Sequence, residues 1–371
     1  MNRTPVRVSL AALVVGLVAL LVAGCGSSEA PPGSKKLFFE LTDAGCVPNS
    51  TSAPAGPIVF EVENAGTTAV TEIEVMEGNA ILGEKENLSD GLSGSFSLTL
   101  DKGEYTIYCP GGSDERGALT VSGTTSAASG ANSASVVAGY RDYLERNTAE
   151  LMNGTRAFVA ALLAGETARA KALYAGARIP YERIEPVAEQ FGELDPRIDA
   201  RENDVPAAEF AGFHRLEKAL WVEEGRHPSE TKAVARKLLS DITELKYQVR
   251  TLYLLPLQVI NGANELLSEV SASKITGEEE RYSHTDLVDF EANLEGAEAA
   301  FDAVEPLVED PELVEEAENG FEHVQAALKP YRRGDGFVLY TALTKADTRK
   351  LAQEIDALAE KLSQVPAQIV G

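Results

Sequence analysis

The 371-residue sequence predicts two domains, an all-β sandwich of Greek-key type followed by an all-α helical bundle. Three features predict this. Residues 36–123 carry short alternating apolar runs separated by Gly, Asn, Asp and Pro. Residues 124–135 are Ser, Thr, Ala, Gly and Asn, with almost nothing to bury, and read as a linker. From 136 to 371 Ala, Leu and Glu dominate, and apolar residues recur with a helical period.

In chain order, residues 1–24 read as a sorting signal. Arg3 and Arg7 give a positive start, and the apolar run Leu10 to Val22 is too short for a convincing membrane span. It ends in Leu21-Val22-Ala23-Gly24-Cys25, the form of a lipobox, with Cys25 as the lipidated residue and 25–35 as a Gly/Ser/Pro-rich tether. The mature chain is then expected to be exported and lipid-anchored at the extracytoplasmic face of a bacterial membrane, in the periplasm or cell-wall space. The strands expected next are Leu37 to Leu41, Pro57 to Val62, Thr71 to Val75, Ser95 to Leu100, Glu104 to Tyr108 and Ala118 to Val121. The helices expected after the linker are Val136 to Leu163, Pro206 to Glu223, a long stretch Ser229 to Val270 broken around Pro256, Ser283 to Val304, Pro311 to Leu328 and Thr344 to Leu362. Their short connections favour antiparallel neighbours in a bundle. Tyr331 to Gly336 reads as a helix-to-helix turn.

The formal net charge of −25 disfavours nucleic acid and anionic headgroups as partners and favours cations. Cys46 and Cys109 allow two readings in an oxidising compartment, a disulfide or a pair of thiolates on a soft metal. The chain has four histidines. His214 lies in Gly212-Phe213-His214-Arg215-Leu216-Glu217, where it and Glu217 are three apart and share a helix face. One imidazole with carboxylates suits iron or zinc, while the second histidine of a zinc-protease HExxH is missing. His227 and His323 read as surface residues.

A second acidic run, Glu278 to Asp286 followed by Asp289 and Glu291, also allows two readings. Ser283 and Asp286 have the spacing of a capping box, or Glu280, His284, Asp286 and Asp289 supply metal ligands from a facing helix. In the β-domain the absence of histidine excludes a blue-copper centre. Cys46, Cys109, Met76, Glu72, Glu74, Glu84 and Glu86 remain there. They are either a second metal site, with the carboxylates suited to ferric iron, or the solvent faces of strands.

The chain resembles the EfeO-type iron-uptake lipoproteins along nearly all of its mature length. The resemblance rests on Gly212 to Trp221, on Arg281-Tyr282-Ser283-His284-Thr285-Asp286-Leu287, and on Tyr331 with Gly336 to Val338 and Tyr340-Thr341. In the β-domain it rests on Thr71 to Val75, a turn at Glu84 to Leu88, and Gly103 to Tyr105 with Cys109. It implies a cupredoxin-like domain over 36–123 and an imelysin-like peptidase-family domain over 136–371. It further implies a metal site on His214 and Glu217 completed by other acids, with a membrane iron permease and a secreted haem peroxidase as partners. The function expected is capture of ferrous or ferric iron and its delivery to the permease, with zinc or copper as other metals. The alternative is a metallopeptidase using a His/Glu-bound metal, although no nucleophile–base set is legible.

Overall fold

The computed structural model describes residues 35–123 and 136–369. The sorting signal, the lipidation at Cys25 and the linker over 124–135 lie outside the described residues. Among the described residues no helix is long and apolar enough to cross a membrane.

Nine strands form the first domain: β1 (Lys35–Thr42), β2 (Gly45–Pro48), β3 (Ser52–Pro54), β4 (Gly56–Asn64), β5 (Ile73–Glu77), β6 (Ala80–Lys85), β7 (Ser93–Leu100), β8 (Gly103–Tyr108) and β9 (Arg116–Ser122). They make two facing sheets, ordered β2-β1-β4-β7 and β3-β9-β8-β5-β6. Alternation explains the layering, because every second residue turns inward. Leu37, Phe39, Phe60 and Leu98 of one sheet meet Ile73, Val75, Ile107 and Leu119 of the other in one apolar core. The rings of Phe60 and Phe96 stack at 4.8 Å.

Strands β2, β3 and β6 were not expected. The first two are too short to display a period, and β6 is interrupted by Gly83. The expected turn at Glu84 to Leu88 is corrected: Glu84 and Lys85 complete β6, and the chain leaves the strand direction at Asn87, whose φ is 58°. A Cys46–Cys109 disulfide, with a Cα–Cα distance of 5.9 Å, ties β2 of one sheet to the end of β8 in the other. The thiolate reading of this pair is thereby corrected, since bonded sulfurs offer no thiolate. The bridge closes a separation of 63 residues. Its replacement by two alanines is expected to cost about 2–5 kcal/mol, measured by urea unfolding.

The second domain contains α1 (Ala138–Ala164), α2 (Thr167–Glu182), a 3-10 turn (Glu185–Phe191), α3 (Leu194–Asp199), α4 (Gly212–Trp221), α5 (Pro228–Thr251), α6 (Pro256–Ala272), a second 3-10 turn (Lys274–Thr276), α7 (Asp286–Val304), α8 (Pro311–Leu328), α9 (Lys345–Leu362) and α10 (Val365–Ile369). Proline opens α5, α6 and α8 at positions where a helix needs no N–H. Asp310 caps α8, and a Thr344–Asp347 capping box starts α9. Helix α1 lies against α2 and α5, and α6 against α7 and α9, around one apolar core.

The stretch between 164 and 205, left unassigned by periodicity, holds α2 and α3. Pro180, Pro186 and Pro196 break the pattern there. The helix carrying His214 begins at Gly212 and not at Pro206. The capping-box reading of Ser283 and Asp286 is also corrected. Thr285 stands at the N-cap of α7, and the Ser283 hydroxyl donates to Glu280 Oε2 instead. Residues 332–337 form a small hairpin where a plain turn was expected.

The two domains touch directly. Lys85 of β6 pairs with Glu265 of α6 at 2.8 Å. Gly192 ends the first 3-10 turn with φ 52°, and a Cβ there would lie 2.2 Å from the Asn79 carbonyl oxygen. Only glycine allows the helical domain to seat so closely on the β5–β6 edge.

Candidate metal centre

Helix α4 starts at a position that tolerates one residue type. Gly212 has φ 72°, and a Cβ would stand 2.0 Å from the Ile198 carbonyl oxygen. Gly212→Ala is therefore expected to destabilise the protein by about 2 kcal/mol or more, read by thermal unfolding. From that start the helical period puts Phe213, Leu216 and Leu220 into the core. It also buries His214 and Glu217, whose nearest ligand atoms, Nδ1 and Oε2, lie 3.6 Å apart.

The other face of the imidazole looks toward different acids. His214 Nε2 is 3.6 Å from Asp199 Oδ1 and 3.5 Å from Glu279 Oε1. Two groups of ligand atoms thus share one histidine: Asp199, His214 and Glu279, and His214, Glu217 and Glu280. A neutral imidazole has one free lone pair, so these are alternative positions for one ion. Glu217 is pre-set for the inner position. Its Oε1 accepts the backbone N–H groups of Tyr282 at 2.8 Å and Ser283 at 2.6 Å, which leaves Oε2 buried without a hydrogen-bond partner. Burial opposes its ionisation, but His214 and those N–H groups outweigh it and hold the carboxyl below its ordinary value. Burial and the Arg178 charge oppose protonation of His214. The nearby carboxylates of Glu217, Glu279 and Asp199 outweigh them and raise its pKa to about 9.

Arg178 of α2 fills the middle of the cluster, fully buried. It pairs with Glu182 and Asp199, lies 3.2 Å from Glu279 and 2.7 Å from Glu280, and reaches Asp289 at 3.5 Å. One guanidinium does not balance so many acids. Burial raises the carboxyls of Glu182, Glu280 and Asp289 well above their ordinary range, and Asp286 to about 6. Both oxygens of Asp289, and Oδ2 of Asp286, are buried without a hydrogen bond. Buried carboxylates in surplus are expensive unless protons or a cation compensate them, and this donor set fits a cation.

Of the residues expected to ligate, the structure brings His214, Glu217 and Glu280 together. Asp286 and Asp289 lie beside this group without entering either trio. His284 stays outside both. Its φ is 60°, its backbone N–H donates to the Glu280 carbonyl at 2.8 Å, and its own carbonyl accepts from Tyr340. It shapes the turn that aims two N–H groups at Glu217. Sequence reading missed Asp199 and Arg178, and Glu279 lay in the acidic run Glu278 to Asp286 without being singled out as a ligand. One signal was present: Arg178 shares a helix face with Ala170, Tyr174, Ala177 and Tyr181, a charge on an otherwise apolar stripe.

The β-domain acids face the helical domain, not open solvent. Glu74 and Glu84 are opposed on β5 and β6, a like-charge pair that a sheet alone disfavours. With Glu72 and Glu86 they line an interdomain cavity of about 410 Å³, across from Glu189 and Glu265. Burial, reinforced by neighbouring carboxylates, raises Glu74 to about 8 and Glu86 to about 9, and Glu84 well above its ordinary value. Burial also raises Glu72, against a hydrogen bond with Glu86. Glu189, likewise raised by burial, stands at about 7 and shares a hydrogen bond with Glu84. Cys46 and Cys109 take no part, and the Met76 sulfur accepts from Arg116 Nη1 at 3.7 Å. The same cavity extends to Asp199 and Glu279, the two acids that face His214 Nε2.

The sequence matches the imelysin family (Peptidase_M75) over residues 136–365 and the cupredoxin-like domain over residues 13–121. It is 40% identical over 339 residues to the iron uptake system component EfeO of Escherichia coli strain K12, covering 88% of this chain and 89% of that protein. The EfeO of Shigella flexneri matches to the same extent. That of Escherichia coli O6:K15:H31 is 38% identical over 368 residues, 95% of this chain and 96% of that protein. Among solved structures, dithionite-reduced auracyanin from Roseiflexus castenholzii is similar over 25% of this chain and 99% of its own. Its identity is 14% and its TM-score 0.21, too slight a likeness to bear on function.

Proposed function

We propose, because this chain belongs to the imelysin family and to its EfeO-type members with a cupredoxin-like domain in front, that it captures iron outside the cytoplasmic membrane and delivers it to a membrane permease. The observation that carries this reading is the interdomain cavity. It gathers carboxylates from both domains and runs to Asp199 and Glu279 beside His214. All-oxygen donors at Glu72, Glu74, Glu84 and Glu86 suit hard ferric iron, and imidazole with carboxylates suits ferrous iron, with zinc and copper as competitors. The relatives' designation as iron uptake components supports iron as the cargo. A lipid on Cys25 would confine the protein near its permease, and a secreted haem peroxidase of the same system is the second partner.

The test is titration of the lipid-free mature protein with ferrous iron under anoxia and with ferric citrate. The Glu72→Gln/Glu74→Gln and His214→Ala variants are run beside it. Two separable sites, each lost in one variant, are expected. Only weak, salt-sensitive binding by the unaltered protein would remove the delivery reading. Metal-dependent peptide hydrolysis lost in His214→Ala would replace it with the metallopeptidase one.

A further inference from the structure

Lys274 stands where the acids of the cleft meet those around His214. It lies in the second 3-10 turn, after α6, and is 1% exposed. Its ammonium pairs with Glu185 and lies 3.8 Å from Glu279 Oε2, 3.9 Å from Glu182 Oε2 and 4.0 Å from Glu269 Oε2. Glu185, Glu269, Glu279 and Lys274 itself all line the cavity. Glu279 turns its opposite oxygen, Oε1, to His214 Nε2 at 3.5 Å. A single carboxylate therefore separates the ammonium from the imidazole, on the side from which the cavity reaches the centre.

A buried ammonium is expensive unless its charge is compensated, and so are the four carboxylates around it. A neutral residue here would leave those acids to protons or to an external cation. The two neighbouring guanidinium groups are held differently. Arg178 is enclosed by five acids, and Arg201 is gripped by Asp204 as well as Glu279 and Glu269. A lysine ammonium is a compact point charge on a flexible stem, so it can swing aside without breaking a planar fork. Glu279 is thus shared between a movable cation and a candidate metal position, with the unpartnered nitrogens of His214 behind it.

We propose that Lys274 is a resident counter-cation on the route from the cleft to His214, and that its ammonium must leave Glu279 for a metal ion to take the Asp199–His214–Glu279 position. This rests on the delivery reading above and adds what sets the exchange. Lys274 is a positioning residue, not a ligand. By competing for Glu279 it keeps metal binding reversible, and on release it returns to compensate the acids.

The experiment uses the lipid-free full-length protein and the Lys274→Met and Lys274→Arg variants. Ferrous iron is added under anoxia and then withdrawn with a chelator in stopped flow. The readout is fluorescence of Trp221, the single tryptophan, at the end of α4. Lys274→Met is expected to bind about tenfold tighter and to release iron about tenfold more slowly, because a nearby positive charge has been removed. Its metal-free melting temperature should fall at the same time. A lowered melting temperature with unchanged affinity and release would overturn the inference and leave Lys274 as a structural ion pair. Should Lys274→Met fail to fold, Lys274→Arg decides. A guanidinium forked onto Glu279 is expected to slow iron entry about tenfold, and unchanged entry overturns the proposal. Failure of the unaltered protein to bind iron overturns the delivery reading itself, and needs no variant to be seen.

Discussion

Replacing His214 by alanine is expected to weaken ferrous-iron binding by the helical domain by at least about a hundredfold, since loss of a residue that merely supports a ligand already costs ten- to a hundredfold. Both candidate trios depend on this one imidazole, so among the described residues neither keeps its three ligands after the change. Glu217 separates ligation from folding. Glu217→Gln keeps an acceptor for the Tyr282 and Ser283 N–H groups while removing the charge, and should lose metal with little loss of stability. Glu217→Ala leaves those buried donors unpaired and should additionally lose about 1–3 kcal/mol. Calorimetric titration under anoxia, with thermal melts of the same samples, reads both quantities. Unchanged iron binding in His214→Ala would move the principal site to the cleft.

The metal-free protein is expected to lose stability as pH rises from about 5 to about 9, by more than about 5 °C in melting temperature. Glu189, Glu74 and Glu86 are raised to about 7, 8 and 9, with burial the main cause in each. In the unfolded chain these groups ionise near the ordinary value of 4.5. Between the two values the folded state binds more protons than the unfolded one, so stability falls with rising pH. The stabilisation is complete below the unfolded value and disappears as pH passes through 7 to 9. A multivalent cation in the cleft should flatten the slope by replacing those protons. A melting temperature that holds or rises over this range would show that the cleft acids are solvated and ionised in the folded protein.

Several parts of this architecture are legible locally. Alternation identifies β1, β4, β7, β8 and β9 because each lies with one face on the sandwich core. The helical period identifies α1, α5 to α9 and the His214/Glu217 face for the same reason. What escaped were elements whose placement is set by neighbours. β2 and β3 are held by pairing with β1 and β9 and have too few residues for a pattern. β6 carries glycine where a side chain would press on Leu98, so its strand character shows only against β5 and β7.

The sequence by itself determined the two-domain order, the shared face of His214 and Glu217, and the net negative charge. Each follows from backbone period and composition, which act within a few residues of chain. Only the tertiary structure decided that Cys46 meets Cys109, and that Arg178 reaches Glu279 across 101 residues of chain. It alone placed the Glu72–Glu74 face against Glu189 and Glu265, and Lys274 between the two groups of acids. The physical reason is that a carboxylate's behaviour depends on burial and on the charges beside it. Those are supplied by whichever elements pack there, and no period along the chain records them.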